Sequence, residues 1–175
     1  MHSFLSRLNG LFAFMCSVLA AATFLVFLQT LFVNYTVPVQ LEVENIRLKP
    51  VHDYASLNGR SDLASATFSM SADLTPVFNW NVKQIYAWLQ ADYETEERPT
   101  NQIVLWDKYF FRFGNNVLNE ERIKPYYYFQ DDGLNLRNKN VTFSLHWTVV
   151  PNAGWMRNVQ GEGVKSVVFP DTYKW

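Results

Sequence analysis

Residues 64–74 read ASATFSMSADL. Ala64, Ala66, Phe68, Met70, Ala72 and Leu74 fall on one parity of this stretch, and Ser65, Thr67, Ser69, Ser71 and Asp73 on the other. Successive side chains of a strand point to opposite faces, so strict alternation of apolar and polar residues predicts a half-buried β-strand. The same period of two governs NVTFSLHWTVV, residues 140–150. There Val141, Phe143, Leu145, Trp147 and Val149 share one face, and Thr142, Ser144, His146 and Thr148 the other. In VKQIYAWLQADY, residues 82–93, Ile85, Ala87, Leu89, Ala91 and Tyr93 are the inward set, with Tyr86 and Trp88 on the second face.

Further strands are expected over 37–48, 103–113, 126–130 and 164–169. In the first of these the apolar phase slips between Val43 and Ile46, which predicts a β-bulge. HDYASLNGRSD, ETEERPTN, FGNNVLNEERIKP, QDDGLNLRNKN and PNAGWMRNVQGEG separate the runs and read as turns. No repeat and no long helical period competes. Roughly seven short strands broken by turns predict an all-β domain, an antiparallel β-sandwich.

Upstream of that domain the pattern changes completely. Between Arg7 and Glu42 no side chain is charged, and Leu11–Val33 holds only Ser17, Thr23, Gln29 and Thr30 as polar members. As a helix this segment is roughly 34 Å long, enough to cross a hydrocarbon core of about 30 Å. Ala20-Ala21-Ala22 has the small-residue character of a secretory cleavage site, and Leu11–Leu19 could be a signal core. But TFLVFLQTLFV follows, as apolar as what precedes it. Cleavage after Ala22 would leave an apolar stump on a water-soluble domain, so the segment reads as a retained anchor. The expected organisation is a cytosolic N-terminus over 1–10, a transmembrane signal-anchor helix over 11–33, and a luminal β-sandwich over 34–175. Arg7 lies on the N-terminal flank, while the other flank has no Lys or Arg before Arg47 and Lys49. That bias places the N-terminus in the cytosol. The sequon Asn140-Val141-Thr142 agrees with a luminal domain and makes Asn140 the glycosylation candidate. Asn34-Tyr35-Thr36 is a second sequon, set against the membrane.

Charge is balanced, with 15 Lys plus Arg against 16 Asp plus Glu. Nothing here points to nucleic acid or to a polybasic lipid-binding cluster. The single cysteine, Cys16, lies inside the apolar segment, so the β domain carries no disulfide. His2, His52 and His146 have no metal-ligand spacing, and no cofactor is implied. Ser144 and His146 project together from one strand face, yet no strained nucleophile turn accompanies them. A polar outer face is the simpler account. Asp131-Asp132-Gly133 lacks the alternating ligands and later Glu of a calcium loop and reads as a hairpin turn. Two aromatic runs place rings on both faces of their strands, where a sandwich strand normally has one wet face. KYFFRF sets Tyr109, Phe111 and Phe113 against Phe110, and YYYF sets Tyr127 and Phe129 against Tyr126 and Tyr128. Phe110, Tyr126 and Tyr128 are the residues expected to face a neighbouring luminal domain.

Several long strings carry a resemblance. RSDLASATFSMSADLTPVFNWNVKQIYAWLQADYET, NQIVLWDKYF, KNVTFSLHWTVVPNAG and VVFPDTY resemble the subunit 3 family of the eukaryotic signal peptidase complex. LSRLNGLFAFMCSVLAAATF resembles that family's anchor, and only the 112–125 loop and the end after Tyr173 depart from the pattern. The resemblance implies a single-pass type II glycoprotein of the endoplasmic reticulum membrane. It implies a noncatalytic subunit that supports removal of signal sequences from nascent secretory and membrane proteins. The nucleophilic serine would then belong to a Sec11-type catalytic subunit, which with the other subunits would be the partner. The alternative classes are a membrane-anchored ligand-binding or adhesion β-sandwich, and an enzyme in its own right. The missing disulfides weigh against adhesion.

Overall fold

The computed structural model describes residues 3–56, 59–96 and 98–174. His2 and the outermost ends of the expected cytosolic and luminal segments lie outside them. The apolar segment forms one unbroken helix, α1, over Phe4–Thr30. Ser3 caps it, its side chain accepting from the Ser6 N–H at 3.2 Å. At 27 residues α1 is about 40 Å long. It has mean hydropathy 2.5 in its most apolar window and buries none of that window against the protein. Three of its hydroxyls bond internally. Ser17 Oγ donates to the Ala13 carbonyl at 2.9 Å, Thr23 Oγ1 to Ala20 at 2.9 Å and Thr30 Oγ1 to Phe27 at 2.7 Å. Such bonds satisfy these three hydroxyls without water. Ala20–Ala22 sit inside this helix without a break.

Among the described residues eight strands follow: β1 Val39–His52, β2 Arg60–Asp73, β3 Val82–Tyr93, β4 Asn101–Phe111, β5 Val117–Ile123, β6 Phe129–Gln130, β7 Asn140–Pro151 and β8 Arg157–Val168. They form two antiparallel sheets, one ordered β1-β2-β5 with β6 also on β2, the other β4-β3-β7-β8. The alternations seen in the sequence are the inner faces. Ala64, Ala66, Phe68, Met70 and Ala72 of β2 meet Ile85, Ala87, Leu89 and Ala91 of β3 and Val141, Phe143, Leu145, Trp147 and Val149 of β7 in one core. The expected bulge in β1 lies between Glu44 and Arg47, where Asn45 takes φ 52°.

Four expectations are corrected. Residues 117–123, read as turn material, form β5, an edge strand whose Glu120, Glu121 and Arg122 hide the period of two. Charged edge strands are how sheets avoid pairing with other chains. Residues 126–128, read as a strand, are not one. The Tyr126 and Tyr127 N–H groups both donate to the Leu105 carbonyl, at 2.8 and 3.2 Å, at the bulge of β4. Asp131-Asp132-Gly133 is no hairpin turn either, because β6 and β7 belong to different sheets. Asp131 is buried and accepts from Tyr93 Oη at 2.7 Å, Gly133 N at 3.1 Å and Asn135 Nδ2 at 3.0 Å, so its carboxylate organises the loop around itself. Strand β8 also begins earlier than the expected residue 164.

The chain enters the sandwich from α1 through a tight junction. The Glu162 N–H donates to the Val37 carbonyl at 2.9 Å, and Trp147 Nε1 donates to the Tyr35 carbonyl at 3.1 Å. Gly161 and Gly163 let this happen. A Cβ at Gly161 would collide with the Val39 and Trp147 side chains, and one at Gly163 with the Val39 carbonyl. Gly163 also holds φ 139°, a conformation that L side chains rarely adopt.

Candidate functional site

The outer face of the β4-β3-β7-β8 sheet is built by the second parity of its strands. Strand pairing sets Tyr86 opposite Tyr109 and Trp88 opposite Asp107 on one side, and Trp88 opposite His146 on the other. Cross-strand and same-face neighbours at this spacing are in ring contact. Tyr86 and Trp88 stack at 5.6 Å, Trp88 and His146 at 5.6 Å, and Tyr86 leans on Tyr109 at 4.8 Å. Phe111 continues the row and is exposed. Tyr127 reaches in from the loop after β5 and donates its hydroxyl to Asp107 Oδ1 at 2.8 Å. A polar ladder runs on along β3, Trp88 Nε1 to Gln90 Oε1 at 3.2 Å and Gln90 Nε2 to Asp92 Oδ1 at 2.8 Å. The result is an aromatic platform with fixed polar handles and no loop of its own laid over Tyr109 or Phe111.

This arrangement corrects one expected interface residue. Phe110 is only 2% exposed and points into the core opposite Ile85. Its neighbours Tyr109 and Phe111 are the outward pair. Tyr126 and Tyr128 are exposed on the segment beside β4, Tyr128 at 83%. The Tyr126 ring lies 6.3 Å from that of Trp106, whose buried indole N–H has no acceptor. The signal for Tyr86, Trp88 and Tyr109 was present in the alternation, but not which aromatic row would stay uncovered.

Ser144 and His146 are brought together, Oγ to Nε2 at 2.9 Å. Their surroundings do not make a nucleophile of the serine. Ser144 is 1% exposed, so no substrate carbonyl reaches its Oγ. Burial pushes the His146 imidazole below its ordinary pKa, against the opposing pull of Asp92. Among the described residues no carboxylate bonds its ring, and the strand backbone is committed to ladders on both sides. Burial and the Asp131 hydrogen bond raise the Tyr93 phenol far above its usual range, keeping it a donor. Asp62, also buried, accepts from Leu136 N at 3.0 Å and Tyr173 Oη at 2.9 Å and so ties down the C-terminal end. Both carboxylates serve the fold. Among the described residues no three His, Cys, Asp or Glu side chains converge as metal ligands.

Asn140 opens β7 at the end of the sandwich away from α1 and is exposed. It borders an open polar cavity shared with Asp92, Glu94, Pro99 and Lys139. Asn34 sits four residues past α1 and accepts from Thr36 N at 3.1 Å and Thr36 Oγ1 at 2.9 Å.

A family model described as "Signal peptidase subunit" matches residues 1–172. The signal peptidase complex subunit 3 of Homo sapiens is 49% identical over 175 residues, covering 99% of this chain and 97% of its own length. That of Caenorhabditis elegans is 45% identical over 174 residues with the same coverage. A mouse protein called adipocyte-related X-chromosome expressed sequence 1 is 47% identical over 175 residues.

Proposed function

The chain belongs to the signal peptidase subunit family, and from that premise we propose that it is a noncatalytic subunit of the signal peptidase complex in the endoplasmic reticulum membrane. It supports removal of N-terminal signal sequences by holding a luminal domain against a Sec11-type catalytic subunit. The observation that carries this reading is the aromatic platform, a row of rings in which Tyr86, Trp88 and His146 are half-buried and Tyr109 and Phe111 exposed, on a helix-anchored sandwich. Tyrosine and tryptophan suit such a role, since they bury area at little entropic cost and keep a polar partner. The burial of Ser144, which keeps its hydroxyl away from a substrate, favours the noncatalytic assignment. In this reading α1 is an uncleaved type II anchor with residues 1–10 in the cytosol and 34–175 in the lumen. N-terminal sequencing that found a chain beginning at Thr23 would refute the anchor.

The test is copurification. Tyr109→Ser, Phe111→Ser and Tyr128→Ser combined should reduce recovery of the catalytic subunit roughly tenfold, about 1.4 kcal/mol of binding, while the melting temperature moves by only a few degrees. Undiminished recovery would place the interface elsewhere. Ser144→Ala should leave cleavage by the reconstituted complex within a few-fold of the unaltered complex. A loss of several orders of magnitude with normal assembly would make this chain an enzyme.

A further inference from the structure

The loops at the end of the sandwich nearest α1 carry large apolar side chains that the core does not use. Trp80 lies between β2 and β3, Phe113 between β4 and β5, and Trp155 and Met156 between β7 and β8. All four are exposed, Phe113 at 95%. Exposed rings scattered singly over a surface need no explanation. These are gathered on one rim.

The depth of that rim is set by contacts with the helix. Arg157 Nη1 donates to the Val33 carbonyl at 3.2 Å and to that of Leu31 at 3.5 Å, just past the C-terminus of α1. A cation is favourable there, facing the negative end of the helix dipole. Gly154 lies so close that a Cβ on it would be 3.3 Å from the Phe27 ring. Trp155 shares a groove with Phe27, Thr30 and Leu31. The β7–β8 loop is therefore level with the last turns of an apolar helix, where a membrane-crossing chain leaves the hydrocarbon.

Hydrogen bonds extend this level sideways. Asn81 Nδ2 donates to the Ala153 carbonyl at 2.8 Å, the Ala153 N–H returns to Asn81 Oδ1 at 3.0 Å, and the Asn152 N–H donates to the Asn81 carbonyl at 2.7 Å. Arg112 Nη1 then donates to the Trp80 carbonyl at 2.9 Å and its guanidinium lies 5.6 Å from the Phe113 ring. Three loops are thus tied into one edge that reaches two strand spacings, about 10 Å, beyond β7. Lys83, Arg112 and Arg157 are interleaved with the rings; Asp73 is an acid at the same end, accepting from Thr75 N at 2.9 Å, and Glu162 lies beside Pro38.

We propose that Trp80, Phe113, Trp155 and Met156 form a membrane-docking rim that inserts into the headgroup region of the leaflet on the domain's side. Interleaved aromatic and basic side chains at the end of a spanning helix are what a bilayer interface accommodates, rings at headgroup level and cations toward phosphate. With no polybasic cluster to require anionic lipid, a zwitterionic bilayer suffices. The rim adds a second, lateral foothold to the single helix. It fixes the tilt of the sandwich and holds the aromatic platform at a set height above the membrane. The inference rests on α1 being a membrane anchor and is independent of which protein the platform meets.

The experiment uses the full chain in phosphatidylcholine nanodiscs, without partners. In a Cys16→Ser background, nitroxide labels are placed through Trp80→Cys, Phe113→Cys and Trp155→Cys. Tyr54→Cys, between β1 and β2 at the opposite end, is the aqueous control, and unchanged melting curves certify the fold. Labels at 80, 113 and 155 should collide more with oxygen than with a water-soluble nickel chelate, and the label at 54 the reverse. Nickel access at 80 and 113 equal to that at 54, with 155 alone in lipid, would overturn the rim. So would protection at 80 and 113 that arises only when partner subunits are added, since the loops would then bind protein. A label at 155 that also lies in water would instead refute the anchor.

Discussion

Tyr109, Phe110 and Phe111 alternate across β4, and their fates differ although their chemistry is similar. Phe110 faces Ile85 in the core while Tyr109 and Phe111 face outward. The reason is parity. A strand gives successive residues to opposite sides, and the bulge at Leu89/Gln90, which draws both Leu105 and Trp106 inward, sets which parity β4 shows to solvent. From KYFFRF alone either assignment was open. Phe110→Ala should therefore destabilise the domain by about 3–5 kcal/mol, as expected for a large ring removed from a packed core. Tyr128→Ser, at an exposed loop position, should change stability by no more than about 0.5 kcal/mol. Denaturant melts of the two variants check the contrast, and equal losses would mean that Tyr128 is covered.

At the scale of elements, the strands read with a clean alternation are β2, β3 and β7, all interior members of their sheets, while β1, β4 and the later part of β8 are read from less regular patterns. Each packs one face on the core over most of its length, so its sequence carries the period of two there, whereas the start of β2, where Ser61, Asp62, Leu63 and Ala64 are all buried, does not. β5 and β6 lie outside that arrangement. β5 has charged residues where an interior strand would have apolar ones, and β6 is two residues long. Its residue Phe129 is nonetheless buried against Tyr93, Phe143 and Phe169. The junction between α1 and the sandwich was equally hidden, because it depends on β8 meeting residues 37–39 across more than a hundred positions of chain. Gly163→Ala should be destabilising by on the order of 1–3 kcal/mol from its backbone conformation alone, with further loss as the Val39 carbonyl is displaced. A melting temperature unchanged in Gly163→Ala would show that β8 and β1 do not approach as closely as described.

For the whole molecule, orientation is the property most open to a direct test. Asn140 is exposed at the end of the sandwich opposite α1, so a luminal domain offers it to glycan transfer, whereas Asn34 lies beside the helix end. Endoglycosidase should increase the gel mobility of the protein isolated from microsomes, and Asn140→Gln should abolish that increase. Transfer to Asn34 instead would overturn the site, and no glycan at all would challenge the luminal placement. A run without charge from Leu8 to Leu41 and the alternations of β2, β3 and β7 sufficed to read a membrane helix and an all-β domain from the sequence. Both are local signals, written in the period of neighbouring residues. Which aromatic row stays uncovered, how Asp62 and Asp131 are used inside the fold, and which loops lie level with the end of α1 were decided only by tertiary structure. Those depend on register between strands distant in sequence, and register is a property of pairs of segments that no single segment contains.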